Sequence, residues 1–235
     1  MHGTADKDII YLKPNPHIPS LWQEAAAILM RRRRPSALAA ASYPAGKSFS
    51  IANGPVTSVL VPIVLIGLVG DIPLSFVVVA LAHASHPMVI HGVIAATYLL
   101  TLGWALAVRS TLLSMPHVVS SDALWIGGCV RVSGVIPKSA IARSMRLQAS
   151  RSAWMSEQGI SRNDVLLTSS FDPPSVALEI KPDASGLVRI SNRHGHMPAR
   201  RWILLYADSP VGLMEAARAW EANSTASTAA TADVR

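Results

Sequence analysis

Two long apolar runs, separated only by the short segment His83 to Pro87, constrain this chain more than any other feature. The first, Val56 to Leu81, carries a single charged residue, Asp71, and the second, Met88 to Val108, carries none. Wound as α-helices at about 1.5 Å per residue they would measure about 39 Å and about 31 Å, against a hydrocarbon core of about 30 Å. The competing reading is a pair of core helices in a soluble protein, which seldom stay apolar over such lengths. The pattern predicts a transmembrane hairpin over 53–110, with helices at about 56–81 and 88–108.

The basic residues give that hairpin a direction. Before Val56 they are Lys7, Lys13, Arg31, Arg32, Arg33, Arg34 and Lys47; after it they resume with Arg109 and Arg131. The loop between the helices has no Lys or Arg. This is the positive-inside pattern, and it predicts a multi-pass protein with both termini cytoplasmic and His83 to Pro87 outside. The formal net charge of +7, set beside apolar helices, suits the anionic headgroups of a lipid bilayer and not a nucleic acid. With one cysteine, Cys129, no intramolecular disulfide can form. The apolar run begins too late for a secretory signal peptide, and Met30, directly before the arginines, is an alternative start of translation.

Segment 1–52 reads as an N-terminal cytoplasmic stretch, extended to Ser20 and then a short helix. Ser20 is placed as its N-cap, Gln23 completes a capping box, and Leu21, Ala25, Ile28 and Leu29 share a side. Either this is an amphipathic segment in the headgroup zone, with Arg31, Arg32, Arg33 and Arg34 on headgroups, or it is a solvated charge run. Beyond the hairpin the periodicity turns to β. Ala123 to Ile126 and Cys129 to Val132 flank Gly127-Gly128 as a two-residue hairpin turn. Further strand signals follow at Val165–Thr168, Val176–Ile180, Leu187–Ile190 and Trp202–Tyr206, whereas Ser139–Ile160 reads as a strand through Ile141 and Met145 followed by either a polar loop or a short helix. Asp208 or Ser209 then caps a last helix with Pro210 in its first turn and Val211, Met214, Ala217 and Trp220 on one face. The tail 223–235 is small and polar, hence disordered.

Three stretches carry a family resemblance: GDIPLSFVVVALA in the first apolar run, the hairpin DALWIGGCVRVSGVIPKSAIA, and SFDPPSVALEIKP followed by RRWILLYADSPVGLMEAA. Together they span about Val56 to Trp220. The chain resembles bacterial two-helix membrane proteins with a cytoplasmic pleckstrin-homology-like domain. The resemblance implies a hairpin anchored in the inner membrane plus a mostly-β barrel or sandwich over 115–222 with a C-terminal helix. It supplies no catalytic residue. The Gly127-Gly128 turn lacks the long basic loop of the phosphoinositide-binding pleckstrin domains.

Asp71 is the strongest candidate for chemistry, since a carboxylate at mid-helix costs on the order of 2.5–3.5 kcal/mol to insert. Antiparallel pairing about Ser85 sets it opposite Leu99, with Thr97, Tyr98 and Thr101 within a turn. Tyr98 or Thr101 is predicted to hydrogen-bond the carboxyl, with Ser75 as the local alternative. The group is either a neutral pin for the hairpin or part of an ion pathway. His83, His86 and His91 lack a neighbouring Cys or carboxylate, so no metal site is expected. His194 and His196 read as turn residues, and Cys129 as an inert strand residue. Arg189, Arg193, Arg200 and Arg201 either meet a partner or headgroup or form a solvated face. No P-loop, dinucleotide fingerprint or hydrolase motif occurs, so neither cofactor nor catalytic residue is expected. The expected function is a membrane-anchored, non-enzymatic interaction or regulatory module with a protein partner or a second copy. The alternative is a small transporter-like or enzymatic membrane protein that uses Asp71.

Overall fold

The computed structural model describes residues 20–34, 36, 43–83, 85–129, 132–169, 171–192 and 194–218. The expected extended start, the disordered tail and Trp220 lie outside the described residues. Helix α1 (Leu21–Leu29) opens the described chain and buries Leu21, Ala25 and Ala27. Ser20 stands at its N-cap without a side-chain capping bond, so the capping box with Gln23 does not form. Leu29 points outward, contrary to expectation.

The hairpin follows as α2 (Leu60–Leu81) and α3 (Pro87–Ser114), both long and apolar enough to cross a membrane. Pro62 falls in the first turn of α2, where a missing N–H removes no helical bond; Pro73, inside, leaves the Val69 carbonyl without its usual donor. Val56 to Val59, expected as helix, form the turn that enters α2. At the other end α3 runs six residues past the expected Val108, because no Gly or Pro interrupts it before Pro116. Its 28 residues span about 42 Å, more than a bilayer core requires. Most side chains of the hairpin are exposed, but from Ala105 to Leu112 α3 is largely buried.

The remaining chain builds two sheets. Strands β1 (Lys47–Phe49), β2 (His117–Val119), β3 (Ala123–Cys129), β4 (Val132–Pro137), β8 (Arg189–Asn192) and β9 (Gly195–Met197) pair antiparallel in the order 1-2-3-4-8-9. The second sheet has β5 (Ile141–Arg146), β7 (Val176–Ile180), β10 (Trp202–Leu205) and β6 (Val165–Leu167) in the order 5-7-10-6, with β10 and β6 parallel. The two sheets do not close into a barrel.

Side-chain alternation explains how the sheets pack. Leu178, Ile180, Ile203 and Leu205 face Phe49, Leu124, Ile126 and Ile136 in one core. Ala177, Trp202 and Leu204 point to the opposite face of the second sheet, as a period of two requires. There helix α4 (Arg151–Glu157) covers them with Trp154 and Met155, the Trp154 ring meeting Trp202 edge-on at 5.2 Å. The strand expected through Ile141 and Met145 is β5, and the segment after it, open between loop and short helix, forms the helix. A final helix, α5, occupies 210–218 among the described residues. It buries Leu213, with Met214, Ala216 and Ala217 packed beside it, while Val211 is exposed.

Two expectations change. β1 precedes the hairpin in sequence yet joins the sheet that follows it, pairing Phe49 with His117. Residues 47–49 therefore belong with the β region, and the hairpin is an insertion between neighbouring strands. Likewise Gly127-Gly128 is not the turn: β3 runs through both glycines to Cys129, which pairs with Val132 across a register shift. Gly127 serves close approach instead, since a Cβ there would overlap the carbonyl oxygens of Met115 and Pro116.

Candidate functional site at the base of the hairpin

Polar contacts concentrate where the hairpin meets the β region. The apolar stripe of α1 contains one acid, Glu24, spaced three after Leu21 and four before Ile28, so packing the stripe against α3 buries a carboxylate. Glu24 is fully buried and accepts three bonds: from Ser36 N at 3.0 Å, Ser36 Oγ at 2.6 Å and Ser110 Oγ at 2.6 Å. Arg34 Nη1 donates to Ser110 Oγ at 3.0 Å, so one of the four arginines is drawn into this network. Ser110 lies on α3 just past the apolar run, and the network locks α1 across that end.

Two acids of the β region hold the entrance to α2. Asp172, buried in the loop before β7, accepts from Val56 N at 2.7 Å and Thr57 N at 3.3 Å. Gly54 makes room for it, because a Cβ there would overlap the carboxyl. Asp208, just before α5, accepts from Asn53 N at 3.1 Å. Its neighbour Tyr206 has a hydroxyl pushed above its ordinary range, first by burial and then by the Asp208 and Asp172 carboxylates, so it remains a donor. Ile51, Thr57, Leu112, Phe171, Asp172 and Tyr206 line a cavity of about 10 Å³, room for about one water.

His117 completes the junction. Its Nδ1 accepts from Gly127 N at 3.0 Å, so Nε2 carries the proton and donates to the Tyr206 carbonyl, also at 3.0 Å. Burial lowers its pKa from 6.5 to about 4. Between those values the unfolded chain binds a proton that the folded one refuses, so stability falls as pH drops through this window. The full loss is about 3 kcal/mol. The melting temperature should decline between pH 6.5 and 4, while the His117 ring signals in NMR stay unshifted until near the lower value. A ring that titrates near 6.5 contradicts this account.

Within the hairpin, Tyr98 Oη donates to Asp71 Oδ2, so the structure brings these two predicted residues together. Thr101 is not part of the pair: its hydroxyl donates to the Thr97 carbonyl, which an i−4 acceptor on its own helix satisfies more cheaply. Ser75 donates to the Ile72 carbonyl and lies 3.4 Å from His91 Nδ1, while His91 stacks on Phe76 at 3.9 Å. His83 Nδ1 lies 2.9 Å from the Leu81 carbonyl. Among the described residues no group of three His, Cys, Asp or Glu is arranged to hold a metal ion.

The other basic candidates separate by position. Arg31, Arg32 and Arg33 are exposed beside α1. Arg200 is exposed at the start of β10, and Arg201 next to it binds Glu179 at 2.8 Å, with Arg143 on the other carboxylate oxygen at 2.6 Å. Burial opposes the charge on Glu179, but the two guanidiniums outweigh it and hold the carboxyl below its ordinary range. From Arg201 to Tyr206 is about 17 Å of extended strand. Arg200 and Arg201 thus lie at the far end of β10 from the hairpin.

Glu24 was not singled out from the sequence, although an acid inside an apolar stripe is the signal that could have found it. Asp172 and Asp208 left no such mark for these contacts, since their partners lie far along the chain, and His117 bonds backbone groups at Gly127 and Tyr206 that no side-chain pattern announces. Comparison with protein families, with curated proteins and with solved structures gives no match for this chain.

Proposed function

We propose that this chain is a membrane-anchored, non-enzymatic interaction or regulatory module of a bacterial inner membrane. In this reading the hairpin spans the bilayer, and the β region meets a protein partner, or a second copy of the chain, at the cytoplasmic face with its anionic headgroups. The observation that carries the reading is the pairing of β1 with β2. Both ends of the hairpin enter one sheet, and Glu24, Asp172 and Asp208 fasten that base. A β domain mounted this firmly is suited to presenting a surface at fixed height and orientation. A pleckstrin-like character finds support in one helix, α5, closing a two-sheet core with Leu213; the parallel β6–β10 pair departs from that pattern.

Thiol labelling tests the topology. A cysteine at Ser85, at the hairpin tip, should react with a membrane-impermeant reagent in intact cells, and one at Arg33 only after lysis. The reverse pattern, or equal labelling of both before lysis, refutes the arrangement.

Asp71 separates this reading from a transport function. Asp71→Asn keeps the shape and an acceptor for Tyr98 but cannot titrate. Interhelical hydrogen bonds in membranes average about 0.6 kcal/mol, so the variant should melt within a few degrees of the parent and retain its assembly state. Loss of cellular function by a variant that folds and assembles normally would favour an ion pathway instead.

A further inference from the structure

The orientation of α1 is inverted for a helix facing water. Its inner side carries the fully buried Glu24, whereas Trp22, Leu29 and Met30 on the outside are 61%, 80% and 56% exposed. Trp22, Ala26 and Leu29 follow the i, i+4, i+7 spacing of one helix face, and Met30 comes directly after it at the C-cap. Arg31, Arg32 and Arg33 follow the helix where the chain turns, Arg31 at φ 51°, and are exposed as well. Large apolar groups edged by cations are the composition of a helix lying in a lipid interface.

The depth agrees with this. Glu24 is bonded to Ser110. Met88 to Val108 measures about 31 Å, which fills a hydrocarbon core, and Ser110 lies about 3 Å beyond. The middle of α1 therefore sits at the boundary between acyl chains and headgroups.

We propose that α1 is an interfacial helix that seats Trp22, Leu29 and Met30 in an anionic phospholipid leaflet, with Arg31, Arg32 and Arg33 on lipid phosphates. Arg34 is excluded, because it is turned inward onto Ser110. The proposal rests on the membrane-spanning reading of the hairpin and adds a second, lateral contact with the same leaflet. Through Glu24 and Ser36 that contact is tied rigidly to the end of α3.

The test uses the full chain in nanodiscs made of phosphatidylcholine with phosphatidylglycerol. In a Cys129→Ser background, a spin label is attached to Met30→Cys or, as a control within the hairpin, to Leu74→Cys. Collisions with oxygen report lipid, and collisions with a water-soluble nickel complex report water. The expected result is a label at position 30 that gains oxygen collisions and loses nickel collisions. Replacing Arg31, Arg32 and Arg33 with glutamine should reverse both changes. A label at position 30 open to nickel, with position 74 still in lipid, overturns this proposal and leaves the hairpin reading intact. Nickel access at position 74 overturns the hairpin reading itself. Shielding of position 30 from both reagents also overturns the proposal, by assigning the face to a protein partner or second copy.

Discussion

Gly127→Ala should destabilise the β region by on the order of 4 kcal/mol, the largest effect expected of a single methyl group here. The added Cβ would fall on the carbonyl oxygens of Met115 and Pro116, and backbone atoms cannot rotate away as a side chain can. Relief requires β3 to move off the segment joining α3 to β2. That shift also breaks the Gly127 N–H bond to His117, which would leave a fully buried imidazole without its donor. The detergent-solubilised variant should melt well below the parent by near-ultraviolet circular dichroism, with the helical far-ultraviolet signal of the hairpin retained. A variant that melts within a degree or two of the parent would show that the contact relaxes without cost.

Glu24→Ala comes next, at about 3 kcal/mol. It strips the acceptor from three donors at once: the Ser36 amide and the hydroxyls of Ser36 and Ser110. The hydroxyls can turn toward other acceptors, but the amide cannot, and an unsatisfied buried donor costs about 1–3 kcal/mol. The consequence is local. Residues 21–29 should exchange their amide hydrogens much faster while the sheets keep their protection. Glu24→Gln retains one carbonyl oxygen and nearly the same shape, so it should fall between parent and Ala. If exchange in α1 is unchanged by Glu24→Ala, apolar packing of Leu21 and Ala25 suffices and the polar network is incidental.

The legible parts of this fold were those written in short periods. The hairpin showed in uninterrupted apolar runs, most strands in alternation, and the last helix in its Asp-Ser-Pro start. Tyr98 could be set against Asp71 because antiparallel helices about a known turn have an arithmetic register. What escaped was long-range. The sequence Lys47–Phe49 is three residues long and has no alternation of its own, so only its partner Val119–His117 makes it a strand. Gly127-Gly128 matched a turn by composition, yet the requirement there was steric and came from Met115 and Pro116. Thr101 satisfied the register but chose the carbonyl of its own helix. Asp172 and Asp208 bind backbone amides more than a hundred positions away, and amides leave no trace in a sequence.

The place of β1 also governs the order in which the molecule can be made. β1 leaves the ribosome about 70 residues before β2, its partner in the sheet. Closing a flexible loop of that length costs about 2 kcal/mol more entropy than closing one of about 8 residues. Once α2 and α3 stand side by side, however, their bases are about 10 Å apart and the two strands are delivered to each other. Formation of the hairpin is thus a kinetic checkpoint for the sheet. A chain whose helices fail to pair presents the edge of β2 bare, and that edge is a template for joining other chains. Misassembly of this protein should therefore begin at β2, far from the apolar surface that first draws attention.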